Sequence, residues 1–289
     1  MQNKQNVDST YLQFGASDAA EFAAAFDCKG TLEYLLQFGI GPSALTQARR
    51  PEPGEMLKPA YVSDDVRYCD FCARGLSGAE YDVLKDGRDR CCACSKTVVS
   101  KKQDFEALFF QVRDGLKTKF GIDLPQEMTV KVVSQAKLAK MVGTKFVPTK
   151  YFDPRTVGLA TEKRVRGGDP KYGIVFENGT PRMSLIATAA HELTHIWQYS
   201  HWDWAAMQAK YGNKFLAVCE GMAKWAEIQY LFLLNETEQA RRFLENEVAR
   251  DDVYGYGLRL FLNEYPLSEG ICLKGKTPFQ NVNEPLPLR

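Results

Sequence analysis

Tyr172-Gly-Ile-Val-Phe-Glu-Asn-Gly179, followed at once by Thr180-Pro-Arg-Met-Ser-Leu-Ile-Ala-Thr-Ala-Ala-His191-Glu192-Leu193-Thr194-His195, decides how the rest of the chain is read. The first eight residues are rich in β-branched and aromatic side chains and close on Asn-Gly, so they predict a strand ended by a turn. Thr180 suits a helix N-cap, and Pro181 suits the first helical position, where a missing N–H costs nothing. Leu185, Ile186, Ala189 and Ala190 then form an apolar face leading into His191.

His191-Glu192-Leu193-Thr194-His195 is the H-E-x-x-H pattern. Residues four apart share a helix face, so two imidazoles can reach one zinc ion at about 2.0–2.1 Å. Glu192, about 100° around the helix from His191, stands where a carboxylate can take a proton from an attacking water and pass it to a leaving amine. The chain has three histidines in all, and two of them are in this motif. The preceding strand is expected to lie beside the metal and to offer an edge for an extended peptide.

A catalytic zinc takes three protein ligands and leaves a position open for water. Two residues compete for the third place. His201 has the spacing of H-E-x-x-H-x-x-G-x-x-H, in which a glycine turns the chain back toward the metal, but Gln198 occupies the glycine position. Glutamine continues a helix readily, and on a straight helix His201 sits about 9 Å beyond His195 along the axis. Glu220 lies in Cys219-Glu-Gly-Met-Ala-Lys-Trp225, on a helix expected over Lys214–Leu234 whose Gly221 and Ala223 would allow it close to the metal helix. A carboxylate buried among Val218, Met222, Trp225 and Ala226 needs a partner, and a metal supplies one. Glu220 is favoured, with His201 the alternative. Glu227, on the same face, is either a support for a ligating histidine or an ordinary solvated glutamate.

Upstream, Cys69-x2-Cys72 and Cys91-x2-Cys94 are eighteen residues apart, a spacing that predicts a structural zinc site of four thiolates. Cys92 falls outside that set, and Cys28 and Cys272 read as free thiols. The organisation expected is a helical and linker segment over 1–60, with a helix near Ala16–Phe38 and breakers at Gly41-Pro42, Pro51 and Gly54. A four-cysteine unit of half-LIM or zinc-ribbon type follows over 61–99, and a larger α+β domain fills 100–289. Within that domain the spacing predicts helices over Gln103–Gly121, Gln135–Met141 and Trp204–Lys210, and a strand at Val130–Val133.

Lys plus Arg total 37 against 36 Asp plus Glu, for a net charge of +1, which offers no footprint for nucleic acid. The amino-terminal stretch lacks the apolar run of a secretory signal, and Leu231–Leu234 is too short to span a bilayer. A cytoplasmic protein with no membrane partner is expected, and clustered rather than scattered cysteines fit a reducing compartment.

Three stretches resemble the LIM-containing, ubiquitin-activated peptidases called DA-one in plants, and their shorter microbial relatives. They are Ile174-Val-Phe-Glu-Asn-Gly-Thr-Pro-Arg182 leading into the H-E-x-x-H helix, Cys219-Glu220-Gly221, and Asp252-Val-Tyr-Gly-Tyr-Gly257. Their order agrees over roughly 100–265, and the four-cysteine unit looks like half of that family's LIM region. The resemblance implies a zincin-like gluzincin fold, Glu220 as third zinc ligand and a protein substrate. It also points to Tyr254, with Tyr256 close behind, as the hydroxyl that hydrogen-bonds the developing oxyanion; core or turn aromatics between glycines is the plainer reading of the pair. Residues 1–60 show no ubiquitin-interacting helix, so a ubiquitin-type activator is not carried over. Two other functions remain open: a DNA-dependent protease resembling the Spartan type, whose zinc unit follows rather than precedes the protease, and a non-catalytic zinc-binding adaptor.

Overall fold

The structure, a computed structural model, describes residues 67–76, 80–142, 157–163, 168–250 and 252–287. The helix expected near Ala16–Phe38, the linker after it and Cys28 lie outside the described residues. The architecture is mixed α+β. Strands β1 (Tyr81–Val83) and β2 (Asp89–Cys91) form a hairpin, followed by helices α1 (Cys92–Ser95) and α2 (Lys102–Phe120). Then come β3 (Met128–Val133), α3 (Gln135–Met141), β4 (Gly158–Lys163) and β5 (Lys171–Glu177). Helices α4 (Arg182–His201), α5 (Trp204–Tyr211), α6 (Phe215–Leu233), α7 (Thr237–Val248) and α8 (Val253–Glu264) follow, and a 3-10 turn at Pro278–Gln280 comes after them. Among the described residues no helix is long and apolar enough to cross a membrane.

The main sheet has the order β3-β5-β4, with β5 parallel to β3 and antiparallel to β4. The expected strand at Tyr172–Glu177 is therefore central, and among the described residues the sheet edge beside α4 belongs to β4, for which the sequence gives no strand signal. The run Tyr-Gly-Ile-Val-Phe-Glu is buried at every position from Tyr172 to Glu177, as a strand covered on both sides must be. Phe176 sits against Phe105 and Phe109 of α2, with ring centroids 6.0 and 6.4 Å apart, which clamps the strand that feeds α4. Gly179, at φ 86°, turns the chain out of β5 in a conformation that glycine adopts without steric cost.

Thr180 does not cap α4 as expected. Its hydroxyl donates to Glu177 O at 2.8 Å and closes the turn, and Pro181 takes the cap position. The first free amide of the helix, Arg182 N, donates instead to Thr97 O at 2.8 Å. A helix start needs acceptors for its leading N–H groups, and a neighbouring segment supplies this one.

Helix α6 is buried on every side from Ala217 to Leu233 except at the partly buried Lys224, the pattern of a helix in the centre of a domain. It lies between α4 and α8. Gly221 makes its closest approach to α8, not to α4: a Cβ there would stand 2.3 Å from the backbone of Gly257, and one on Gly257 would stand 2.1 Å from Ala217 O. Backbone cannot swing aside as a side chain can, so Gly257→Ala is expected to force the helices apart. The cost expected is about 1–3 kcal/mol, the range for overpacking, read as a lower urea midpoint at unchanged slope.

Cys69, Phe71, Cys72, Leu76, Cys91 and Cys94 form a separate small apolar cluster around the β1–β2 hairpin. Its attachment to the larger core is extensive. Val98 bridges Pro181, Val99 N donates to Thr180 O and Gly179 N to Val99 O, both at 3.0 Å. Arg88, with 4% of its side chain exposed, is ion-paired to Glu177 at the end of β5. Ser184 Oγ donates to Phe71 O at 2.6 Å, and Arg242 Nε to Cys72 O at 2.9 Å.

Candidate metal centre

Helical spacing on α4 sets His191 and His195 one turn apart on one face, with Nε2 atoms 3.1 Å from each other. Glu220, at the middle of α6, brings Oε2 to 3.3 and 3.4 Å from those two nitrogens. The ligand atoms of His191, His195 and Glu220 all lie within 4.8 Å of one another, so the three could hold a metal ion. The fit is also chemical: Glu220 Oε2 is buried with no hydrogen-bond partner, a condition that a bound cation relieves. Burial alone would discharge all three groups. Against that burial, Glu220 and Glu227 lift the His191 ring to about 10, while His195 and His191 hold the Glu220 carboxyl well below the usual range.

Each imidazole has a support behind it. His195 Nδ1 lies 2.8 Å from Gln198 Oε1, and Gln198 Nε2 donates to Cys219 O at 3.0 Å. Because a carbonyl takes only a donor, the amide orientation follows, and Nδ1 of His195 must carry the proton. Its Nε2 is left on the side of Glu220, 3.4 Å from Oε2. Gln198 thus fixes a tautomer, a role missed when it was read only as the residue replacing a turning glycine. Gln198→Ala is expected to weaken metal binding at this centre by about 10–100-fold, measured by competition with a chelating dye. Glu227 Oε2 stands 3.2 Å from His191 Nδ1 but out of line for a formed hydrogen bond. Of the two readings of Glu227, the structure gives the one beside the histidine: it is buried, not solvated.

His201 is elsewhere. Helix α4 continues through Gln198, and the His201 ring stacks on Trp197 at 4.8 Å with Nδ1 close to Trp197 O and Ser200 Oγ.

Glu192 lines the same cleft as the three candidate ligands, and its Oε2 accepts from Ala160 N of the sheet at 2.6 Å. That amide belongs to β4 and is turned away from β5. Gly158 brings the strand this close, since a Cβ there would stand 2.4 Å from Thr188 and 3.2 Å from the Glu192 side chain. A cleft of about 220 Å³ runs past the centre, lined by β4, by α4 and by α6 to α8. Asp70 and Phe71, between the first two cysteines, also line it, so the four-cysteine unit forms part of its wall. Tyr254 lines it too, in the first turn of α8, its ring 6.4 Å from that of His191. Tyr256 is buried and does not line the cleft. The glycines around these tyrosines are in a helix rather than a turn, and they serve close packing: a Cβ on Gly255 would meet Arg250 O at 2.2 Å.

Cys69, Cys72, Cys91 and Cys94 converge in the same way, with sulfur atoms within 4.8 Å of one another, and could hold a second ion. Cys91 N donates to Cys69 Sγ and Cys94 N to Cys91 Sγ, both at 3.4 Å, bonds that favour thiolates. Cys92 is exposed and gives its S–H to Glu80 O, outside the cluster. Cys272 is a free, exposed thiol. Four thiolates would leave an ion held there no open coordination position. No protein-family model, curated protein or solved structure matches the chain.

Proposed function

We propose that the chain is a zinc-dependent endopeptidase of the gluzincin kind, related to the DA-one peptidases, acting on protein substrates. One observation carries the reading: His191, His195 and Glu220 converge on a single point at the side of a cleft, while Glu192 lines the same cleft, hydrogen-bonded to Ala160 N of β4. Two nitrogens and a carboxylate oxygen suit zinc, and so does the four-thiolate set. The described cysteines are all free, which suits a reducing compartment, and we place the protein in the cytoplasm.

A zinc ion held by these three side chains would polarise a substrate carbonyl and lower the pKa of a water to about 7. Glu192 then accepts the proton of the attacking water and returns it to the leaving amine, acting as base and acid in turn. Its hydrogen bond to Ala160 N holds the carboxylate in place at the strand edge. The outward backbone groups of β4 other than Ala160 N pair with an extended stretch of substrate, which presents its peptide bond to the centre. Tyr254 donates its hydroxyl to the oxygen that gains charge.

The direct test incubates the zinc-loaded full chain with an unfolded protein such as casein, with and without DNA, and identifies new termini by mass spectrometry. Internal cleavages that a chelator stops are expected, at equal rates with and without DNA. A chain that carries both ions and creates no new termini under any of these conditions is not a peptidase, and the adaptor reading then stands. Cleavage that depends on DNA would favour the Spartan type.

A further inference from the structure

Lys224 is a lysine with its ammonium group inside the protein, 13% of its side chain exposed. Nζ lies 3.0 Å from Glu227 Oε2 and 2.9 Å from Glu247 Oε1. An apolar residue of similar length would fill the same space without removing a charge from water, so the charge calls for a reason. From Lys224 a chain of alternating charge runs in two directions. One leads through Glu227 to Nδ1 of the ligand His191, at 3.2 Å. The other leads through Glu247 to Arg250, at 3.1 Å, and from Arg250 to Asp252. Asp252 caps α8, its Oδ1 accepting from Tyr254 N and Gly255 N at 3.1 and 3.2 Å. The Tyr254 ring is also faced by both cations, with the Arg250 guanidinium 4.6 Å and Lys224 Nζ 5.9 Å from its centroid.

The two ends of this chain are a candidate metal-binding imidazole and the tyrosine that lines the same cleft, and its members come from four helices, α4, α6, α7 and α8. We propose that Lys224 is a positioning residue that joins them: it holds Glu227 beside His191 and, through Glu247 and Arg250, seats Tyr254. The physical ground is like-charge repulsion. Glu220, Glu227 and Glu247 line one cleft, and without the ammonium between them Glu227 and Glu247 repel each other. Glu227 then turns away, and the carboxylate that stands 3.2 Å from His191 Nδ1 is lost from behind the ring. The role given to Tyr254 rests on the peptidase reading, but the effect on His191 does not.

The test measures zinc affinity at the histidine centre by chelator competition in the full chain, with the four-cysteine site already loaded. Lys224→Met is expected to weaken binding by about 10–100-fold, the range for groups behind a metal ligand, and Lys224→Arg to restore most of it. Glu247→Gln, which keeps the shape and removes one charge of the chain, is expected to weaken binding in the same direction. The Lys224→Met, Glu247→Gln double variant should lose less than the two effects combined, because the residues act along one line. Wild-type affinity in Lys224→Met, or equal loss in Lys224→Met and Lys224→Arg, would assign the lysine to packing alone and overturn the proposal. Should Lys224→Met fail to fold, unchanged affinity in Glu247→Gln overturns it equally. A chain that binds two ions and cleaves nothing would sink the peptidase reading while these affinities still decide the positioning role.

Discussion

Glu192→Gln is expected to keep the fold and both metal ions while losing hydrolysis by about 10²–10⁴-fold, the contribution usual for a general acid–base group. The amide oxygen of glutamine can still accept the Ala160 N–H, so the one hydrogen bond that places this side chain survives the change. What disappears is the ability to take up and release a proton. Neither ligand set includes Glu192, and metal content measured by plasma mass spectrometry should remain at two ions per chain. A variant that cleaves casein as fast as the wild type would remove the carboxylate from the mechanism, and with it the main support for the hydrolase reading.

Glu220→Ala carries the second large effect. It removes one of the three donors and leaves two imidazoles that cannot hold the ion alone, so tight metal content is expected to fall from two ions to one. The affinity loss should exceed the about 10–100-fold typical of groups behind the ligands. His201→Ala is the matched control. Its ring is stacked on Trp197 away from the centre, and both ions should be retained. The reverse pattern, two ions in Glu220→Ala and one in His201→Ala, would require α4 to break at Gln198 and would contradict the arrangement described above.

The parts of the fold that were legible in the sequence are those where one period or one turn signal acts alone. The apolar rows of α2 and α6, the β5 run and the Asn178-Gly179 corner are of this kind, and they place His191, His195 and Glu220 without knowledge of anything distant. Strand β4 was not legible because Gly158-Leu-Ala-Thr-Glu-Lys163 has little β-branched or aromatic content, and it is a strand chiefly because β5 pairs with it. Helix α8 was hidden by Gly255 and Gly257, which look like turn residues yet are there so that two backbones can touch. Helix α7 had a visible signal that was passed over: Ala240, Leu244 and Val248 recur every four residues and are all buried. Gln198 and Lys224 show a different limit. Their partners lie on other helices, so the helix period could place them on a face but could not say what they meet.

The ladder joining Val98 and Val99 to Gly179, Thr180 and Pro181 bears on how the molecule can be cut down. A fragment starting at residue 100 would have lost the carbonyls that receive Gly179 N and Arg182 N, along with the arginine that neutralises Glu177. Those groups sit where the chain enters the helix of His191. Trimming away the thiol-rich segment is therefore not a neutral shortening: the smaller piece should be harder to obtain in folded form.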